Sequence, residues 1–99
     1  MFYAIMGIDR DDSLEARMQA RSEHMDRLNK LLHEGRLLLA GPHPAIDSED
    51  PGPAGFSGSL IIADFPSLEA AREWAEEDPY ILTGVFSSVS VKPFKKTLP

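Results

Sequence analysis

The segment Phe2-Tyr3-Ala4-Ile5-Met6-Gly7-Ile8 is apolar or small at every position. Alternate residues of a β-strand face opposite sides of a sheet, so this run predicts a strand that is covered on both faces. Residues 59–65, Ser59-Leu60-Ile61-Ile62-Ala63-Asp64-Phe65, predict a second strand of the same kind. We therefore expect two central strands in one sheet, which the rest of the chain must flank and cover.

The residues after the first strand have the pattern of a long helix. Asp12-Ser13-Leu14-Glu15 matches a capping box, in which Asp12 caps and Glu15 lies three residues on. Gly35 supplies a C-terminal stop. Arg17, Arg21 and other charged residues are expected to face solvent. The predicted apolar stripe consists of Leu14, Met18, Met25, Leu28 and Leu32.

A second helix is predicted after residue 65. Ser67 is expected to cap it, and it should end near Glu77, because Pro79 disfavours the helical conformation at Asp78. Residues 80–84 are expected to form a short connection.

Two further segments predict the outer strands. Residues 36–40 should form one strand that stops at Gly41-Pro42-His43-Pro44, because proline cannot donate to a β-ladder. A loop rich in proline and glycine is expected over residues 44–58. Residues 85–91 alternate apolar and polar side chains, as in a half-exposed or edge strand that Pro93 ends.

The element order β-α-β-β-α-β is that of the ferredoxin-like α+β fold. It predicts a four-stranded antiparallel sheet with two helices on one face, in a single domain of residues 1–99. Two helices leave the second face of the sheet uncovered, although the central strands are apolar on both faces. We therefore expect a homodimer that packs sheet against sheet, with an enclosed space between the sheets or between sheet and helix.

Composition limits the classes of function. The net charge is −6, which disfavours nucleic acid, since that binding depends on neutralising phosphates with Lys and Arg. The chain has no cysteine, so disulfides, thiolate metal sites and cysteine nucleophiles are excluded. No apolar run approaches the roughly 20 residues of a membrane span, and residues 1–9 do not resemble a signal peptide. A cytoplasmic location, without a membrane partner, is the expectation.

His24 is the first candidate for chemistry. At 100° per residue, Leu28 lies about 40° and Leu31 about 20° from it around the helix. The imidazole therefore projects close to the apolar face. A group that titrates near neutral pH in such a position is a candidate general acid or base, although a lone histidine there is more often a satisfied core residue.

Asp78 is the natural partner for His24, because both helices of the predicted fold pack on the same face of the sheet. A carboxylate on one ring nitrogen would set the imidazole tautomer; the alternative is a turn residue before proline. Gly41 and Pro42 are candidate pocket residues, and Arg21 and His43 are candidate contacts for an anionic substrate group. No two histidines are spaced i,i+4 and no phosphate-binding loop exists, so neither a metal nor a cofactor is expected.

Several blocks of sequence, in this order and spacing, resemble the YciI family (YCII-related domain) over effectively the whole chain. They are His24, Gly35-Arg36-Leu37-Leu38, Gly41-Pro42, Gly55-Phe56-Ser57-Gly58-Ser59, Ser67-Leu68-Glu69-Ala70-Ala71, Asp78-Pro79-Tyr80, Gly84-Val85 and Val89-Ser90-Val91-Lys92-Pro93-Phe94-Lys95-Lys96. The resemblance implies a ferredoxin-like fold in a dimeric α/β-barrel, with an active site centred on His24 and Asp78. His43 departs from one member of the family, in which an apolar residue follows Gly-Pro, so the resemblance implies no role for it.

The wider superfamily includes muconolactone-isomerase-like enzymes, and one YciI-like relative removes chloride from a chlorinated hydroquinone. We expect a cofactor-independent enzyme in which His24 and Asp78 act on a small, cyclic or aromatic-derived metabolite, by isomerase, lyase or dehydrohalogenase chemistry. The alternatives are a dimer that binds a small molecule without chemistry, and a structural dimerisation module in which the two residues form a buried polar pair.

Overall fold

A computed structural model of the chain describes residues 1–99. The elements are β1 (Phe2–Asp9), α1 (Leu14–His33), β2 (Leu37–Pro44), β3 (Phe56–Asp64), α2 (Leu68–Glu76), α3 (Pro79–Leu82) and β4 (Phe86–Phe94). All strand pairs are antiparallel, and the order across the sheet is β2-β3-β1-β4. The ferredoxin-like α+β fold is confirmed, with β1 and β3 as the two central strands.

The core lies between the sheet and the helices. In the register of the central strands, Ile5 pairs with Ile61 and Tyr3 with Ala63, so these four side chains share the helix-covered face. Leu28 and Leu31 of α1 and Ala71 and Ala75 of α2 pack against them. None of the helices combines the length and apolar character that crossing a bilayer requires.

The other face of the sheet carries Phe2, Ala4, Met6 and Ile8 of β1. Ile8 is 59% exposed, and Leu39, at the β2 edge of the sheet, is 45% exposed. This face keeps apolar side chains in contact with solvent, as the sequence predicted. The homodimer expected through it stays a prediction.

Both outer strands run further than expected. The prediction that Gly41-Pro42-His43-Pro44 ends β2 is wrong, because the strand continues to Pro44 and Pro42 pairs with Ser59. Likewise, β4 passes through Pro93 to Phe94. Each is an edge strand with one neighbour, where a missing backbone N–H can point away from the ladder. The loop is correspondingly shorter and ends at Gly55.

The start and the buried face of α1 also differ from expectation. Asp12 adopts a left-handed conformation (φ 57°) and does not cap; Ser13 precedes the helix and its hydroxyl donates to Asp9 Oδ2 at 3.2 Å. Met18 and Leu32 of the predicted stripe are 67% and 55% exposed. The buried positions of α1 are Arg17, Ala20, His24, Leu28 and Leu31. Polar residues occupy the inward face because buried carboxylates pair with them.

The C-terminal end of α1 and the start of α2 agree with the prediction. The backbone N–H groups of Gly35 and Arg36 donate to the carbonyls of Leu32 and Leu31, which is the Schellman arrangement predicted by a glycine stop. Ser67 caps α2 by accepting from the Ala70 N–H at 3.0 Å. The segment after α2 was expected to be a plain connection, but it forms the one-turn helix α3.

Candidate active site

His24 and Asp78 are in direct contact. His24 lies midway along α1 and Asp78 caps α3, and the two helices pack together. The His24 Nδ1 atom is 2.8 Å from Asp78 Oδ1 and 3.0 Å from Oδ2. Both residues are buried, at 5% and 3% exposure. The two residues that the sequence predicts as partners are therefore in hydrogen-bond contact.

Asp78 is held by two more donors. Its Oδ1 accepts the Tyr80 backbone N–H at 2.9 Å, and its Oδ2 accepts from Arg27 Nη1 at 3.1 Å. Arg27 is fixed in turn, because its Nη2 donates to the Trp74 carbonyl at 2.6 Å and its guanidinium lies 4.2 Å from the centre of the indole ring. The carboxylate therefore has a defined orientation towards His24. Nothing in the local sequence distinguishes Arg27 from the other charged residues of α1.

The second ring nitrogen of His24 faces a cleft. Nε2 has no hydrogen-bond partner within the chain, and no fully buried polar side-chain atom lacks one. His24 also lines the cleft between α1 and β2. Nε2 is therefore at the cleft surface, where it can exchange a proton with a bound molecule.

Tyr80 fixes the plane of the imidazole. Its ring stacks on that of His24, with centroids 3.9 Å apart and 9° between the planes. Phe86 meets Tyr80 edge-on, with centroids 5.5 Å apart. Gly7 is needed beneath Phe86, since a Cβ at that position would come within 2.6 Å of the Phe86 ring. The stack is thus fixed to the sheet.

Tyr80 is a neutral phenol in this setting. Burial raises the pKa of its hydroxyl above the ordinary 10.0, while the positive charges of Arg17 and Arg21 oppose the rise in part. The hydroxyl therefore keeps its proton at neutral pH and can donate a hydrogen bond.

Arg17 was expected to face solvent, and that expectation is wrong. It is 6% exposed, and its Nε and Nη2 atoms donate to the Asp9 carboxylate at 2.9 and 2.8 Å. Nη2 also donates to the Ser59 hydroxyl at 2.9 Å and lies 3.2 Å from the Gly58 carbonyl oxygen. Arg17 precedes His24 by seven residues, about 20° apart around the helix. That spacing is the one sequence pattern that could have found it.

The cleft that His24 lines has a volume of about 350 Å³. Arg21, Gly41 and Pro42 line it as well, so three of the four predicted substrate contacts lie beside His24. His43 does not, because alternation along β2 directs it away from the side that Pro42 occupies. It lies instead in a surface depression with the loop carboxylates Asp47 and Glu49.

No other depression of the surface combines a buried histidine–carboxylate pair with a cleft. A larger depression of about 510 Å³ at the start of α1 contains neither His24 nor Tyr80, and it is lined by the carboxylates of Asp11, Asp12 and Glu15. No three His, Cys, Asp or Glu side chains converge in an arrangement that would hold a metal ion.

The fold and this site define a small α+β protein with a buried histidine–carboxylate pair that opens on a cleft. The YCII-related domain model matches residues 1–95. Protein YciI of Escherichia coli O6:H1 (strain CFT073) is 59% identical over 96 residues, covering 97% of this chain and 98% of its own. The chain belongs to the YCII-related family.

Two more distant proteins are also similar. A protein of Emericella nidulans, named derivative of benzaldehyde biosynthesis cluster protein C, is 33% identical over 86 residues and covers 82% of this chain and 85% of its own. The solved structure of 5-chloro-2-hydroxyhydroquinone dehydrochlorinase (TftG) from Burkholderia phenoliruptrix AC1100, in complex with 2,5-dihydroxybenzoquinone, superposes with a TM-score of 0.82 at 24% identity. The match covers 96% of this chain and 94% of that one. The likeness to TftG shows the shared fold.

We expect the neutral form of His24 to carry its hydrogen on Nδ1, because the Asp78 carboxylate can only accept there. Nitrogen-15 NMR of the labelled protein distinguishes the two tautomers by the shifts of the ring nitrogens. His33 is a solvent-exposed histidine near the end of the same helix and provides the internal reference. A hydrogen on Nε2 of neutral His24 would contradict the arrangement.

The Tyr80 hydroxyl should make the stability of the fold depend on pH in the alkaline range. Because its pKa is higher in the folded chain than the ordinary 10.0, the folded state binds more protons above that value. The free energy of unfolding should therefore fall as the pH rises through this region, and less steeply in Tyr80→Phe. Urea denaturation at about pH 8 and about pH 11 measures the difference. Equal slopes for the two proteins would contradict the assignment.

Proposed function

We propose that this protein is a cofactor-independent enzyme in which His24 and Asp78 form a general acid–base pair. The observation that carries the proposal is that the two ring nitrogens of His24 have different surroundings. Nδ1 is bound by a buried carboxylate at 2.8 Å, and Nε2 is left at the surface of a cleft. One nitrogen is thus oriented by the protein, and the other is available to a ligand.

The surroundings of the pair support proton transfer. When Nε2 takes a proton the ring becomes positively charged, and the buried Asp78 carboxylate 2.8 Å away compensates that charge. Arg27 and the Tyr80 N–H hold the carboxylate, and the Tyr80 ring holds the imidazole plane. The base needs little rearrangement to react, which is the condition for efficient catalysis.

The size and lining of the cleft support a class of substrate. A volume of about 350 Å³ lies at the small end of ligand sites and suits a single ring or a compound of similar size. Its wall includes Met25, Leu28, Pro42 and Ile61, which favour an apolar body. Two similar proteins bear names that refer to aromatic compounds, which supports a cyclic or aromatic-derived substrate and isomerase, lyase or dehydrohalogenase chemistry.

His24→Gln tests the general base. Gln keeps a polar side chain beside Asp78 but cannot act as a base at neutral pH, so turnover should fall about 10²- to 10⁴-fold while circular dichroism stays native. The reactants are a panel of cyclic ketones, lactones and hydroxylated quinols, including 5-chloro-2-hydroxyhydroquinone, incubated in deuterium oxide. Mass spectrometry then detects deuterium incorporated at carbon, as well as chloride loss or isomer formation.

His33→Gln is the matched control, since it makes the same change at an exposed site on α1 and should leave the rate unchanged. Full activity in His24→Gln would refute the base. Compounds that bind and are recovered unlabelled and unchanged would favour the ligand-binding alternative. A panel with neither binding nor reaction, together with a more stable His24→Leu variant, would favour the structural alternative.

We further propose that the active form is a homodimer joined through the open face of the sheet. The exposed apolar side chains of Ile8 and Leu39 on that face support it. Sedimentation should give the mass of two chains for the native protein and of one chain for Ile8→Lys, because a charge there would be buried in the dimer. Met18→Lys is the control, because Met18 is also exposed but lies on α1, away from the open face of the sheet, so this variant should stay dimeric. A single-chain mass for the native protein would disprove the dimer.

A further inference from the structure

The cleft is positively charged in an acidic protein. Its lining contains Arg17 and Arg21 and no aspartate or glutamate, although the whole chain has a net charge of −6. A concave site lined by one sign of charge attracts ligands of the opposite sign. The cleft therefore favours a negatively charged molecule.

One edge of the Arg17 guanidinium is free. Its Nε and Nη2 atoms make all the hydrogen bonds of this side chain, to Asp9, Ser59 and the Gly58 carbonyl. Nη1 makes none within the chain, and yet the side chain is only 7% exposed. No fully buried polar atom lacks a partner, and Arg17 lines the cleft, so the exposed surface of Nη1 belongs to the cleft. The Nη1 group of a permanently charged side chain is thus available to a ligand in the cleft.

The Tyr80 hydroxyl is a second free donor in the same place. The Arg17 guanidinium carbon lies 4.8 Å from the centre of the Tyr80 ring, and that ring stacks on His24. The hydroxyl donates to no acceptor within the chain, although the Arg17 guanidinium lies close enough to act on it as a hydrogen-bond donor, which offsets part of the rise in its pKa. Tyr80 also lines the cleft. Because burial raises its pKa, it remains a neutral donor at physiological pH. The Tyr80 hydroxyl therefore keeps its own hydrogen to donate, and together with Arg17 Nη1 it lies beside His24 at the cleft.

We propose that Arg17 and Tyr80 form a subsite for a negatively charged oxygen, and that the ligand of the cleft is a small organic anion. Its ionised oxygen, from a carboxylate, enol or phenol, accepts from Arg17 Nη1 and the Tyr80 hydroxyl. Its apolar body lies against the wall formed by Met25, Leu28, Leu37, Ala40, Pro42 and Ile61. The step from ligand to substrate rests on the proposed function, whereas the anion subsite itself does not.

The Arg17–Asp9 ion pair also positions the guanidinium for the proposed subsite. Asp9 binds the Nε–Nη2 edge of the guanidinium and compensates part of its charge, so Arg17 can be buried beside the cleft. The same pairing sets the plane of the guanidinium and directs the opposite edge outward. Arg21 is exposed on the next turn of α1, and it would attract the anion from solution without fixing its position.

Matched pairs of probes test the charge requirement. Benzoate and benzamide, and salicylate and salicylamide, share a ring and differ in charge. NMR titration of the ¹⁵N-labelled protein should show each carboxylate binding at least about tenfold more tightly than its amide, with shifts at Arg17, His24 and Tyr80. This ratio corresponds to one hydrogen bond to a charged group. Phenol at neutral and alkaline pH separates the ionised-hydroxyl source from the carboxylate source.

Tyr80→Phe tests the subsite without removing the ring that stacks on His24. Carboxylate affinity should fall about tenfold, and amide affinity should not change. Arg17→Lys should weaken carboxylate binding further, since lysine keeps a charge for Asp9 but lacks the second, parallel edge. Circular dichroism first checks that Arg17→Lys is folded. If Arg17→Lys does not fold, Tyr80→Phe alone tests the subsite. Arg72→Lys makes the same substitution as Arg17→Lys at an exposed position of α2 outside the cleft, and it should have no effect.

The anion subsite is overturned if carboxylates and amides bind equally, if neither carboxylate binds at millimolar concentration, or if Tyr80→Phe leaves carboxylate affinity unchanged. These outcomes are separate from the test of the general base. Selective carboxylate binding with full turnover in His24→Gln would keep the subsite and remove the acid–base role. Loss of turnover in His24→Gln without any carboxylate preference would do the reverse.

Discussion

The Asp78 carboxylate is the interaction on which the arrangement of the helices depends. It accepts from His24 on α1, from Arg27 on α1 and from the backbone of Tyr80 on α3, and Arg27 reaches on to the Trp74 carbonyl of α2. One buried charge thus joins three helices. Removing one partner of such a buried network typically costs about 3–5 kcal/mol, because an uncompensated charge is left behind. The same charge that orders the helices also orients the imidazole.

A second buried ion pair fixes the other half of α1. Arg17 binds Asp9 of β1, and it reaches the Ser59 hydroxyl and the Gly58 carbonyl of β3. Together the two pairs attach α1 to the sheet and to α3 at positions two turns apart. His24 and Arg17 each use only part of their hydrogen-bonding capacity on these contacts. The remaining donors and the free imidazole nitrogen face the cleft, so function and packing share the same side chains.

The edge strands illustrate where local sequence rules stop. Pro42 and Pro93 were expected to end their strands, because proline has no backbone N–H to donate to a ladder. That rule holds for a central strand, which has a neighbour on both sides. Both prolines lie inside strands here, because β2 and β4 each have a single neighbour. Strand order across the sheet is a property of the whole chain. The continuation of β2 through Pro42 is what brings that residue to the wall of the cleft opposite His24.

The sequence alone was sufficient for the fold class, for the glycine stop at Gly35, for the cap at Ser67 and for the selection of His24 and Asp78. Period, capping residues and apolar runs act over a few neighbouring residues, so they suffice for the helix stop and the cap. The choice of Asp78 as the partner of His24 used in addition the packing of both helices on one face of the sheet, which the predicted fold implies. Only the tertiary structure decided that Arg17 is buried, that Tyr80 stacks on His24 and that His43 points elsewhere. A charged residue can enter a core only where a partner from a distant strand or helix compensates it. That partner, Asp9 or Asp78, is brought into place by packing rather than by sequence spacing.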